Sequence, residues 1–268
     1  MCSRCPDRPT ACAADRGPAL QTAEVDILSR NMTWTSSRDA QWGNFTVVMF
    51  YDAQTFMTRV DSGIEGPEDF DGATVCVTSG TTTEANLNQY FSDNGWTYEA
   101  VIFEETAAVY GAYESGRCDL TTSDASQLYS VRSGFSEPDA HKIFDFYISK
   151  EPLTPAGPHG DDAWFDIVKT VMFGLINAEE LGVTSSNIGD MANSEDGRIR
   201  TLIGLGDDWG YSQWGLEPDA LAKAISAVGN YGELYDHYFG QDGIAFFLPR
   251  GLNENYANGG VIYAPPIK

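Results

Sequence analysis

Residues 71–84 read Asp71-Gly-Ala-Thr-Val-Cys-Val-Thr-Ser-Gly-Thr-Thr-Thr-Glu84. The β-branched and small residues of this run suit a buried, pleated surface, so a strand is predicted over Asp71–Val77. Ser79-Gly80 is a small-residue turn. Thr81, Thr82 and Thr83 then place hydroxyls where a helix starts, and the helix is predicted from Thr82 or Thr83. Leu87, Tyr90 and Phe91 share one face of it, and Asn94-Gly95 closes it.

The same unit recurs outward from this stretch. Ala100–Phe103 reads as a strand, Thr106–Ser115 as a helix closed by Gly116, Cys118–Thr122 as a strand and Asp124–Ser133 as a helix. Ile143–Ser149 is a further extended run. Strands alternating with helices through short loops predict βαβ units, a parallel sheet and the α/β class. Such sheets bind ligands beyond the carboxyl ends of their strands. Ser79–Thr83 and Ser123–Ala125 are therefore the loops to read for chemistry. Upstream, Val25–Leu28 and Phe45–Tyr51 read as strands. Downstream, Asp161–Leu181 carries Trp164, Val168, Val171, Leu175 and Ile176 at helical spacing, with Gly182 just past its end. Ser186–Met191, Asp196–Gly204, Pro218–Gly229 and Tyr231–Tyr238 are predicted as shorter helices.

Composition narrows the function. Sixteen Lys+Arg against 39 Asp+Glu leave a net charge of −23, while 42% of the 268 residues are hydrophobic. That is an acidic surface over an ordinary core, not the composition of a disordered chain. Phosphate backbones and anionic lipid surfaces are disfavoured partners, because both require clustered Lys and Arg. No stretch reaches the roughly 18–20 apolar residues of a membrane span. Self-repulsion at this charge keeps a protein soluble in salt and suggests a salty habitat.

Met1–Gly17 differs in texture from the rest of the chain. It lacks the apolar core, about 7–15 residues long, of a secretory signal. Cys2, Cys5 and Cys12 supply a single C-x2-C with no second pair and no neighbouring His, so no metal site is predicted. Residues 1–19 are expected to be a disordered leader. His141, His159 and His237 fit no metal spacing, and no G-x-S-x-G elbow occurs. No cofactor is implied. The acid pairs Glu104-Glu105, Asp161-Asp162, Glu179-Glu180 and Asp207-Asp208 read as solvated surface. Cys76 and Cys118 each lie in a predicted strand. They are disulfide candidates if those strands are neighbours, and two buried thiols otherwise.

Three positions carry more chemistry. Arg38 follows the hydroxyl-rich Thr33-Trp-Thr-Ser-Ser run, and its planar fork suits a carboxylate. Thr81 and Thr82 sit at a helix N-terminus, where free N–H groups and the dipole favour an anion. Asp124 ends a strand and can accept an ammonium group. Together they describe a zwitterion. Singly, each has a plainer reading: a surface ion pair for Arg38, an N-cap for Thr82, and an N-cap of its own helix for Asp124.

Several stretches taken in order go further. Ser29-Arg-Asn-Met-Thr-Trp-Thr-Ser-Ser-Arg38, Cys76-Val-Thr-Ser-Gly-Thr-Thr-Thr-Glu84, Gly116-Arg-Cys-Asp-Leu-Thr-Thr-Ser-Asp124 and Ser149-Lys-Glu-Pro-Leu153 resemble the polar amino-acid-binding proteins of bacterial ABC importers, solute-binding family 3. Gly160-Asp-Asp-Ala-Trp-Phe-Asp-Ile-Val168, Ile176-Asn-Ala-Glu-Glu-Leu-Gly-Val183, Val228-Gly-Asn-Tyr-Gly-Glu233 and Tyr263-Ala-Pro-Pro-Ile267 resemble its general L-amino-acid-binding branch. The resemblance runs from Leu20 to Lys268.

It implies the type II periplasmic-binding-protein fold, two α/β lobes joined by a hinge. Lobe one would hold Leu20–Phe56 and Glu151–Lys268, and lobe two Met57–Lys150. It implies an L-amino acid clamped between the lobes, with Arg38 and Thr33 on the carboxylate, Thr81 and Thr82 beside it, and Asp124 on the ammonium. It also implies no catalysis, a monomer in the periplasm, and delivery to an ABC transporter permease after hinge closure. Members open with a strand, a helix and a strand where this chain has Met1–Gly17. An N-terminally truncated or mis-started copy with an incomplete lobe one is therefore expected. Two alternatives differ in class. A periplasmic enzyme on the same scaffold, dehydratase-like, would need a general base in the loops after strands, where no His or Lys stands. A sensor module would need a linker or membrane helix.

Overall fold

A computed structural model describes residues 13–268. In chain order the helices and strands are α1 (Arg16–Gln21), α2 (Ser36–Gln41), β1 (Asn44–Phe45), β2 (Phe50–Asp52), β3 (Gln54–Arg59), β4 (Ala73–Thr78), α3 (Thr82–Asn94), β5 (Tyr98–Phe103), α4 (Thr106–Glu114), β6 (Leu120–Asp124), α5 (Ala125–Ser133), β7 (His141–Ile143), β8 (Glu151–Leu153), β9 (Ala156–Gly157), α6 (Asp162–Glu180), α7 (Gly197–Leu202), α8 (Ala220–Val228) and α9 (Tyr231–Phe239). The chain divides into two units. Unit 1 takes the described residues up to Gly43 together with Asp52–Leu153, and unit 2 takes Asn44–Tyr51 with Thr154–Lys268.

Unit 1 is built on a five-stranded sheet in the order β5-β4-β6-β3-β7. β4 runs parallel to β5 and β6, as the βαβ rhythm predicts. β3 is antiparallel to both β6 and β7, so the sheet is mixed rather than wholly parallel. Alternation along the strands separates two cores. Phe56, Val75, Val77, Leu87 and Phe91 pack in one cluster, and Met57, Cys76, Val109, Tyr113 and Leu128 in another. β6 is buried along its whole length although it reads Leu-Thr-Thr-Ser-Asp. Its hydroxyls are satisfied by neighbouring strands: Thr121 donates to Cys76 O (3.2 Å) and Thr122 to Thr55 O (2.7 Å). Cys76 and Cys118 are joined by a disulfide, with Cα atoms 5.7 Å apart.

Unit 2 pairs β1 with β9 and packs α6, α7, α8 and α9 around Leu175, Ile176, Leu202, Leu221, Ile225, Tyr231 and Tyr235. Gly174 lets α6 approach α8 closely, since a Cβ there would meet Leu221 Cδ2 at 2.7 Å. The backbone of Tyr51 is closed by one side chain. Its N–H donates to Asn253 Oδ1 (2.7 Å) and its carbonyl accepts from Asn253 Nδ2 (3.1 Å).

Several elements differ from the sequence reading. Val25–Leu28 forms a single bridge residue at Leu28 rather than a strand. Phe45–Tyr51 is not continuous: β1 and β2 end it on either side, and Val47 joins the unit 2 core. Ser186–Met191 is not an α-helix: residues 186–189 are turn, where Asn187 accepts from Thr184 N (2.8 Å) and donates to Gly182 O (2.9 Å), competing with helix, and a short 3-10 helix follows over Asp190–Asn193. Glu179 is not solvated surface. It pairs with Arg250, and both side chains are largely buried. The expected leader and its three cysteines lie mostly outside the described residues, but Arg16–Gln21 is helical, with Arg16, Gly17 and Leu20 buried.

The division into units also differs from the expected lobes over residues 52–56 and 151–153, which fall in unit 1, and over residues 20–43. These stay with the β4–β6 unit, because Asn31 Nδ2 donates to Gln127 (3.1 Å) and Trp34 N to Pro152 O (2.9 Å). Residues 44–51 are held in unit 2 through Thr46 N to Pro155 O (2.9 Å) and Tyr231 OH to Met49 O (2.8 Å).

Candidate functional site

The turn between β4 and α3 is shaped by Gly80, whose φ of +67° lies in the left-handed region that favours glycine. Thr81 is the N-cap of α3. Its hydroxyl accepts from Glu84 N (3.1 Å) and donates to Thr78 O (2.8 Å). Both capacities of that hydroxyl serve the fold. Thr82 and Thr83 open the helix, where first-turn N–H groups have no acceptor within the helix.

Thr33 and Thr82 meet at their hydroxyls, 3.3 Å apart, and both donate to Glu151 Oε2, Thr82 at 3.2 Å. Asn86 Nδ2 (2.8 Å) and Ser149 Oγ donate to Glu151 Oε1. Glu151 is therefore a fully buried carboxylate with four protein donors. It stands in the Ser149–Leu153 motif, but sequence reasoning gave it no role, because its partners lie up to 118 residues away.

Arg38 is turned inward from α2. Its Nη1 donates to Thr33 O (3.0 Å), and its guanidinium lies 4.9 Å from the Trp42 ring centroid. Burial lowers its pKa, while Glu151 and Asp124 oppose that shift.

Asp124 ends β6 and precedes α5, but its side chain does not cap that helix. The first N–H groups of α5 are met elsewhere, Ala125 N by Ala53 O (2.9 Å) and Ser126 N by Asp52 Oδ2 (3.3 Å). Asp124 Oδ1 is left buried without a hydrogen-bond partner. Burial first, then the charges of Asp52 and Glu151, push its pKa up to about 8, with Asn31 and Arg16 pulling the other way.

A cavity lies at this end of the sheet, within unit 1. Thr33, Thr81, Thr82 and Asp124 line it together. Arg38 is not in its wall and sits behind Thr33. The wall instead holds Arg16 and Arg30, with Asn31 and Gln127. Arg16 went unnoticed in the sequence because it falls in the stretch set apart by its cysteines. The signal that could have found it is the Arg16-Gly-Pro-Ala-Leu-Gln21 run, with Pro in the first turn of a helix. The cavity wall thus combines a helix N-terminus, guanidinium charge and a carboxylate with one unpartnered oxygen, groups that can meet both ends of a zwitterion.

Comparison with known proteins is consistent along the chain. The family model described as "NMT1/THI5 like" matches residues 30–148. The general L-amino acid-binding periplasmic protein AapJ of Rhizobium johnstonii is 46% identical over 258 residues, covering 96% of this chain and 75% of that protein. The putative amino-acid ABC transporter-binding protein YhdW of Escherichia coli K12 is 42% identical over the same shares. Among solved structures, an ABC transporter periplasmic binding protein from Brucella ovis with glutathione bound matches with a TM-score of 0.91 and 40% identity, over 96% of this chain and 81% of that one.

Proposed function

The chain belongs to the periplasmic amino-acid-binding proteins of ABC transporters, with the type II periplasmic-binding-protein fold, and from that premise we propose that its unit 1 cavity holds an L-amino acid as the zwitterion. The observation that carries this reading is Asp124 Oδ1, a buried acceptor without a donor in the cavity wall. A buried carboxylate oxygen without a partner is costly, and an ammonium group of the ligand supplies the missing donors. The ligand carboxylate is received by the Thr82 and Thr83 N–H groups at the α3 N-terminus, in the positive field of Arg38 behind Thr33. The hydroxyls of Thr33 and Thr82 already donate to Glu151, so they set the wall rather than provide free donors.

In this reading the protein works in the periplasm and delivers its ligand to the permease of an ABC importer. It binds without turnover. Calorimetry with the twenty L-amino acids, followed by NMR of the recovered ligand, tests both points. Saturable binding of unaltered amino acid is expected. No heat with any of the twenty, or a chemically changed ligand, would refute the reading.

A further inference from the structure

Asp124 stands in the N-cap position of α5, where aspartate is among the preferred residues, yet its side chain makes no cap. The donors it would serve are taken by Asp52 and Ala53, the pair leading into β3. The register of β3 on β6 sets Gln54 opposite Asp124. One residue before Gln54, Ala53 O accepts from Ala125 N (2.9 Å). One residue earlier still, Asp52 Oδ2 accepts from Ser126 N (3.3 Å). Asp52 Oδ1 accepts from Ala53 N (2.8 Å), which fixes the direction of the carboxylate.

Capping alone does not explain two carboxylates at one helix start. Asp124 could cap α5 from its own position, and Asp52 would then be superfluous. Its presence is also costly. Burial raises the Asp52 pKa against the hydrogen bonds from Ser126 and Ala53, and the Asp52 charge in turn makes Asp124 harder to ionise. What the second carboxylate changes is the state of the first. With Ser126 N already served, Asp124 keeps Oδ1 without a donor in the cavity wall. Asp52 is not itself part of that wall.

We infer that Asp52 is a positioning residue for the ammonium site: by capping α5 in place of Asp124, it keeps the Asp124 carboxylate available to the ligand. This role rests on the cavity holding an amino acid.

The test is calorimetry of the full chain, using whichever of the twenty L-amino acids binds the native protein most tightly. In Asp52→Ala the vacant Ser126 N–H draws the Asp124 carboxylate onto the helix, and affinity should fall by about tenfold or more. That hydrogen bond also favours the ionised form of Asp124, so the proton released on binding at pH 7 should fall below about half of the native amount. The other charged and titratable groups bearing on Asp124, namely Arg16, Arg38, Tyr110 and Glu151, are unchanged in the variant. Asp52→Asn keeps an acceptor for Ser126 N and should retain affinity within about threefold. If Asp52→Ala does not melt cooperatively, Asp52→Ser decides: its hydroxyl stays near Ala53 N but falls one bond short of Ser126 N, and it should weaken binding as alanine does. Unchanged affinity in the alanine or serine variant, an equal loss in Asp52→Asn, or a loss of affinity with proton release unchanged overturns the role of Asp52 and leaves the amino-acid reading standing. A native protein that binds none of the twenty overturns both.

Discussion

Asp124 Oδ1 and Arg16 Nε are buried in residues that line one cavity, and neither atom has a hydrogen-bond partner. When ionised the two groups carry opposite charge, yet no hydrogen bond joins these two atoms. A native fold leaves few such groups, and two of them around one void could be satisfied together by a ligand of matching polarity. The Glu151 network beside them is, by contrast, fully supplied with donors.

Asp124→Asn should separate binding from stability. Removing the carboxylate takes away the ammonium's charged partner, at about 2–5 kcal/mol of affinity. It also removes a buried carboxylate oxygen, Oδ1, that has no hydrogen-bond partner in the free protein, so the free variant should melt at or above the native temperature. Calorimetry and thermal melting read the two effects. Unchanged affinity would show that Asp124 does not hold the ligand.

Binding should release a proton. Asp124, with its pKa raised to about 8, is mostly protonated in the free protein at neutral pH, and an arriving ammonium favours the ionised form. Calorimetry at pH 7 in buffers of different ionisation enthalpy should show close to one proton released per ligand, lost in Asp124→Asn. Affinity should rise with pH until about pH 8 and then level. The free protein should behave oppositely. Between the unfolded value of about 4 and the folded value of about 8, the native state holds a proton that the unfolded chain has shed. The stability contributed by this residue is thus complete below about pH 4 and is lost as pH rises toward 8.

Glu151→Ala should damage the fold more than Glu151→Gln. Alanine strands the donors on Thr33, Thr82, Asn86 and Ser149, each worth about 1–3 kcal/mol when left buried and unsatisfied, although water entering the gap will recover part. A loss of at least about 3 kcal/mol is expected in urea unfolding. Glutamine keeps an acceptor and should lose less. Equal losses in the two variants would mean that volume, not hydrogen bonding, matters at this position.

Reduction of the Cys76–Cys118 bond should lower stability by about 4 kcal/mol, the chain-entropy value for a loop closed across 42 residues. Urea unfolding with and without reductant, set beside a Cys76→Ala/Cys118→Ala double variant, measures it. The bond lies away from Asp124, so ligand affinity in the folded, reduced protein should stay within about twofold.

Much of unit 1 was legible because its signals are local. The start of α3 is written in Thr81 to Glu84, and its end in Asn94-Gly95, where Gly95 takes the left-handed conformation. β3 was not legible. Gln54, Thr55 and Thr58 give it a polar look, yet all three are buried. Gln54 donates to Thr83 O (3.1 Å), Thr55 to Phe144 O (3.0 Å) and Thr58 to Asp119 O (2.9 Å). A strand whose polar side chains are all satisfied from other elements cannot be distinguished from a loop by alternation alone.

The sequence by itself determined the order of strands and helices in the βαβ block, the helix that opens at Thr82, the candidate residues Thr33, Arg38 and Asp124, and the family. Each is carried by neighbouring residues or by short motifs. Only the tertiary structure decided which groups are still free to act. The hydroxyls of Thr33 and Thr82 donate to Glu151, that of Thr81 serves its own helix and one Arg38 N–H is taken by Thr33 O, while Asp124 and Arg16 keep unpaired atoms beside the cavity. The physical reason is that propensity acts over a few residues, whereas satisfaction of a buried polar group depends on whatever the fold brings within about 3 Å, here from as far as 118 residues along the chain.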